Sequence, residues 1–187
     1  MNAPAHKTRL SPLKKGLRLL GSVFDPRAYL HALKLVNYYN YSHLQPKRKI
    51  QMGPGCNISP NAVFSNPERI EIGARLNLGA RCYLWAGPRQ GKILIGDDVL
   101  FGPDVMVTAA GYRFNDGAPV TAQAMDEADV VIGNDVWLAT RVIVLPGAHI
   151  GAGAIIGAGA IVTGAIPPYA IAVGAPAKVV GQRQQPE

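Results

Sequence analysis

Few side chains in this sequence can do acid–base or metal chemistry, and their positions narrow the choices. There are four histidines: His6, His31, His43 and His149. An unperturbed imidazole titrates near 6.5, which suits it to take a proton at neutral pH. Only His149 lies beyond residue 50, so a zinc site built on three imidazoles is not available to the rest of the chain, and no metal is expected. Cys56 and Cys82 make no disulfide framework, which points to a reducing compartment and a cytoplasmic location. Cys82 falls where a core residue is expected.

The elements that must hold these groups divide in two. Residues 1–50 carry ten basic side chains against Asp25 alone, a net +9, and the remainder carries nine basic against eleven acidic, a net −2. The basic segment reads as two short helices. Leu13, Leu17, Leu20 and Phe24 share one face of the first, over Ser11 to Phe24, with Lys14, Lys15 and Arg18 off that face. Asp25-Pro26 starts the second, an N-cap followed by proline at the first helical position, running to about Tyr39. Two uses of this stripe stand open. It could rest on an anionic membrane surface through residues 1–45, or it could pack on the protein's own body. No recognised nucleic-acid motif accompanies the charge, so no nucleic-acid partner is expected. No apolar run is long enough for a membrane span, and MNAPAHKTRL lacks the apolar stretch of a secretory signal.

From residue 72 a six-residue period takes over. Its first positions are Ile72, Leu78, Leu84, Ile95, Phe101, Val107, Ile132, Leu138, Val144, Ile150, Ile156 and Val162, all apolar. Its fifth positions are apolar except Pro88 and Gly111, and its second position is often glycine. Neither a period of 3.6 nor a period of 2 keeps such a frame. Three hexads per turn give a triangular solenoid of about 18 residues per coil, its coils stacked roughly 4.8 Å apart through parallel β hydrogen bonds. The expected class is therefore mainly β, a solenoid of about five coils over 51–181, with glycine easing the turns. The period breaks at Arg89–Lys92 and between Tyr112 and Ile132. The second break holds Asn115-Asp116-Gly117 and Pro119, so a protruding loop is expected over 113–131. The tail at 182–187 is expected to be mobile.

The stretches Ile132-Gly133-Asn134-Asp135-Val136-Trp137, Leu145-Pro146-Gly147, Gly157-Ala158-Gly159-Ala160-Ile161-Val162-Thr163 and Val173-Gly174-Ala175-Pro176-Ala177-Lys178 resemble the hexapeptide-repeat acyltransferases. Their sugar and polysaccharide O-acetyltransferase branch, with maltose-acetyltransferase-like members, is the most similar. The resemblance implies a left-handed parallel β-helix, acetyl-CoA as donor, a sugar or glycan acceptor, and a homotrimer with sites between solenoids. It places Thr140, Ala158 and Thr163 along the pantetheine, Lys178 at a CoA phosphate, and Trp137 at a subunit interface.

The resemblance also implies a histidine base just before the protruding loop. Aligned without a gap, Tyr112 stands there instead, and a phenol titrating near 10 is a poor base. An asparagine of maltose-type relatives is likewise replaced, with Gly79 at the matching position. Counting hexads places Tyr112 and His149 at the same corner of successive coils, with Arg89 one coil below. That arrangement would let His149 serve as the base, with Tyr112 orienting it or donating to the oxyanion. The alternative is a non-catalytic relative that binds or scaffolds and has lost the family histidine.

Overall fold

The computed structural model describes residues 10–184. His6 and the end of the expected tail, 185–187, lie outside the described residues. The chain forms two compact units, Met1–Tyr39 and Asn40–Glu187.

The first unit is a pair of helices, α1 over Pro12–Val23 and α2 over Pro26–Tyr39. Ser11 caps α1 by accepting the Lys14 N–H, and the Asp25 carboxylate accepts the Arg27 N–H at 2.9 Å. These acceptors satisfy donors that the first turn leaves unpaired. The Tyr29 hydroxyl donates to the Val23 carbonyl at 2.7 Å and ties the two helices together. Neither helix has a buried residue, and among the described residues no helix is long and apolar enough to cross a membrane.

The second unit is a parallel β-solenoid with three faces. Face A stacks Gln51–Met52, Ile70–Ile72, Ile93–Ile95, Val130–Ile132, His149–Ile150 and Ala165–Ile166. Face B stacks Asn57–Ile58, Asn77–Leu78, Leu100–Phe101, Trp137–Leu138, Ile155–Ile156 and Ala170–Val173, and face C stacks five strands from Val63–Ser65 to Ile161–Val162. The hexads thus close five full coils and a sixth of two strands, one partial coil beyond the sequence expectation. Every first-position residue named above is buried, and so is every apolar fifth-position residue. Burying each large one contributes about 1.5–3 kcal/mol, which is why the register does not drift. The two exceptions at the fifth position, Pro88 and Gly111, mark the two places where chain leaves the solenoid.

The second-position glycines serve stacking, not turning. A Cβ on Gly102 would stand 2.7 Å from the Thr140 nitrogen, and one on Gly133 would stand 2.7 Å from that of Ala152. The left-handed backbone falls two residues later, on Arg75, Asp98 and Asp135 at one corner and Arg81, Asp104 and Arg141 at another. These non-glycine residues pair up the corners: Arg75 is bidentate to Asp98 and Arg81 to Asp104, at 2.6–2.7 Å.

The compact unit begins before the first coil. A π-helical turn over Asn40–Leu44 and a short helix α3 over Gln45–Lys47 close its end. Buried His43 donates Nδ1 to the Ala62 carbonyl at 2.7 Å and lies 6.0 Å from the Phe64 ring. Residues 40–50 thus sit with the solenoid and not with the basic helices, because His43 and Ile50 are part of what covers the first coil. At the other end, Lys178–Gln182 folds back antiparallel on Ala170–Val173. Arg183 then donates to the Asp135 carboxylate at 2.7 Å and its backbone N–H to the Tyr169 carbonyl at 2.7 Å, so the tail is fastened as far as Arg183.

Candidate active site

The protruding segment is a β-hairpin, Ala110–Tyr112 against Met125–Glu127, with Ala110 opposite Glu127 and Tyr112 opposite Met125. It leaves the coil three residues earlier than the hexad count places it, because Thr108 redirects the chain: its hydroxyl donates to the Ala110 carbonyl at 2.8 Å. The Ala128 N–H donates to the Ala109 carbonyl at 3.1 Å and closes the root, and Val130 is already back on face A. The loop therefore spans 110–128, a correction to 113–131.

This moves Tyr112 away from the stack that the count assigned to it. His149 stands in register between Val131 below and Ala165 above, and Tyr112 stands in the hairpin. The structure does not stack the two side chains on successive coils. Arg89 also leaves the coil, in a turn at 87–91. Tyr112 is exposed on the hairpin, and His149 is exposed on face A. His149 lines a concavity of ≈ 490 Å³ with Val131, Ala165, Pro167 and Pro168. Within the solenoid unit the other imidazole, His43, is buried under the first coil, so His149 is the one open to a substrate.

The residues expected to meet the donor gather around the last coils of face C, and all four are exposed. Thr140 and Ala158 occupy one corner on successive coils, held by the Gly159 N–H donating to the Thr140 carbonyl at 2.9 Å. Thr163 lies across face C at the next corner, directly after Ile161–Val162. The closing segment is docked on that strand: the Ala177 N–H donates to the Ile161 carbonyl at 2.7 Å, and the Ile161 N–H donates to that of Gly174 at 3.0 Å. Lys178 follows at once, paired with Val173. Trp137 is 46% exposed on face B beside Leu100. Cys82 is fully buried, and burial pushes its thiol up, as befits a core residue and not a nucleophile. Among the described residues no group of three His, Cys, Asp or Glu is placed to hold a metal ion.

One carboxylate at the hairpin carries no mark in the sequence. Glu127, at the hairpin's return, accepts three successive backbone N–H groups of the 87–91 turn: Arg89 at 3.1 Å, Gln90 at 2.7 Å and Gly91 at 2.7 Å. Burial at the turn opposes its charge, but these donors and nearby Arg69 outweigh that and hold its carboxyl below the usual range. The sequence shows only an acidic residue in a loop. The donors are main-chain groups nearly forty positions away, which no residue type announces.

Fold and site together define a hexapeptide-repeat solenoid with a hairpin at one corner and a docked closing segment. The bacterial transferase hexapeptide (six repeats) family matches residues 129–164. A probable acetyltransferase of Mycobacterium tuberculosis is 45% identical over 163 residues; the match covers 76% of this chain and 53% of that protein, so the chain spans about half the relative's length. Nodulation protein L of Rhizobium meliloti is 35% identical over 127 residues, covering 66% of this chain and 69% of that protein. A solved galactoside acetyltransferase in complex with coenzyme A superposes with a TM-score of 0.67 at 29% identity, covering 85% of this chain and 82% of that one. The chain belongs to the hexapeptide-repeat transferases.

Proposed function

We propose that this protein transfers an acetyl group from acetyl-CoA to a hydroxyl of a sugar or glycan precursor. The observation that carries this is the likeness, across 85% of the chain, to a galactoside acetyltransferase that holds coenzyme A. The docked closing segment supports it, because it sets Lys178 beside the coil that carries Thr163. In this reading Thr140, Ala158 and Thr163 follow the pantetheine, where small side chains let it approach the backbone. Lys178 makes a charge-assisted contact to a CoA phosphate. The acceptor oxygen attacks the thioester carbonyl carbon, its proton passes to a base, and the carbon–sulfur bond breaks to release CoA. His149 is the base, as the exposed imidazole of the solenoid. Tyr112, out on the hairpin, reaches the reacting groups as a hydrogen-bond donor and not as a partner of His149 within one protomer's coil stack. The working form is a homotrimer with Trp137 at its interface. The basic N-terminal helices add peripheral contact with anionic membrane, and the protein works in the cytoplasm.

Titration calorimetry with acetyl-CoA and with desulfo-CoA tests the donor assignment. Saturable binding of both is expected, and no detectable heat with either would overturn it. The second reading is a non-catalytic relative, a binding or scaffold protein with tyrosine where the family has its histidine. Binding of acetyl-CoA with no transfer to any hydroxyl acceptor would select that reading.

A further inference from the structure

The hairpin that carries Tyr112 is too small to hold its own direction. It has three residue pairs, and a two-stranded hairpin is marginal in water. What fixes it lies at its return strand. The Glu127 side chain reaches across to the 87–91 turn and takes up every free N–H that the turn presents along Arg89, Gln90 and Gly91. The turn is shaped for this. The Gly87 N–H donates to the Gly91 carbonyl at 3.0 Å and closes it, and Arg69 donates Nε to the Gly87 carbonyl at 2.9 Å from the coil beneath. A Cβ on Gly87 would run into the Glu127 carboxylate, and one on Gly91 would stand 2.7 Å from the Ala109 carbonyl at the hairpin root. Just beyond, the Lys92 N–H donates to the Asp129 carboxylate at 2.8 Å and continues the seam.

We infer that Glu127 is the positioning residue that aims the 110–128 hairpin at the active-site corner, by filling the nest of backbone N–H groups in the 87–91 turn. A carboxylate accepting several main-chain donors is held more firmly than a neutral acceptor would be, and successive N–H groups in a turn form a concavity suited to an anion. The fixed return strand sets the register of the outgoing one, and so fixes where Tyr112, Arg113 and Phe114 stand. The effect on catalysis rests on the acetyl-transfer reading; the anchoring does not.

The test uses the full chain and three variants. Glu127→Ala removes the acceptor. Gly87→Ala keeps the carboxylate but fills its seat. Glu127→Gln keeps the reach and one strong acceptor. Amide exchange at Arg89, Gln90 and Gly91 is expected to accelerate by about tenfold or more in the first two, while Ile93–Ile95 stay protected, and Glu127→Gln is expected to be intermediate. Limited trypsinolysis is expected to gain cuts after Arg89 and Arg113 in the same two variants. Where wild-type transfer is measurable, KM for the acceptor rises and KM for acetyl-CoA is unchanged. Unaltered exchange at those amides in Glu127→Ala and Gly87→Ala overturns the inference. Loss of protection at Ile93–Ile95 in both also overturns it, since the contact would then hold the fold and not the hairpin. A wild-type protein without transfer activity sinks the acetyl-transfer reading alone, and the exchange and cleavage results still decide the anchor.

Discussion

At the scale of single residues, the sequence made Tyr112 and His149 neighbours and the structure separates them. The hexad count carried Tyr112 into the coil because Val107 and the residues after it keep an acceptable pattern. Nothing in the residue types shows that the Thr108 hydroxyl turns the chain out at Ala110. The separation removes the coil-to-coil pairing of the two residues within one protomer, and the consequence is testable. His149 lines an open concavity, and an imidazole is the side chain most often used as a general base. His149→Ala is therefore expected to lower acetyl-transfer turnover by about 10²–10⁴-fold while acetyl-CoA binding stays intact. Tyr112→Phe is expected to lower it less, and the double variant should combine the two losses multiplicatively. Strong non-additivity would show that the two groups meet after all, across subunits. Equal turnover in wild type and His149→Ala would remove His149 from the chemistry.

At the scale of elements, the solenoid was legible because its constraint is repetitive: one large apolar side chain per face, one small or branched one near each corner. What the period did not reveal is why glycine follows the first position and why Arg and Asp take left-handed backbone two residues on. Both answers depend on the neighbouring coil, which a single strand's sequence does not display. The two corner devices should differ in strength. Gly102→Ala forces a methyl group against the Thr140 backbone, an overpacking that costs about 1–3 kcal/mol, and should lower the melting temperature clearly. Asp104→Asn removes an exposed ion pair and should shift it less. The ion-paired corners also set a pH dependence. Hydrogen bonds from Arg75 and Arg81 hold the carboxyls of Asp98 and Asp104 below the usual range. With the folded value below the unfolded one, their contribution is complete above the unfolded value, about 3.9, and is lost as the pH falls through the folded value. Melting temperatures followed downward from pH 6 should therefore fall through the acid range, with a shallower fall in a variant carrying Asp98→Asn and Asp104→Asn. An identical slope in that variant would show that other carboxylates govern the acid limb.

At the scale of the whole molecule, the charge map and the unit boundary bear on the same question. The +9 segment covers residues 1–50, but the compact unit that contains the solenoid already starts at Asn40. His43 and Ile50 cover the first coil, so the two lysines and the arginine at 47–49 belong with the solenoid and only the residues up to Tyr39 form a separable basic element. A deletion of 1–45 would strip His43 from Ala62 and confuse a folding defect with a lost surface contact. A deletion of 1–39 leaves that closure in place. The helices it removes carry the Leu13, Leu17, Leu20 and Phe24 stripe with Lys14, Lys15 and Arg18 alongside, a pattern that suits the interface of an anionic bilayer at about 1 kcal/mol per basic residue near the surface. The shortened chain is expected to keep the melting temperature and the assembled mass of the full chain by light scattering, and, if the helices make the lipid contact proposed, only the full chain is expected to co-sediment with phosphatidylserine vesicles at low salt. Aggregation of the shortened chain would show that the stripe packs on the solenoid. Undiminished sedimentation would place the lipid contact on Lys47, Arg48 and Lys49, which the deletion leaves untouched.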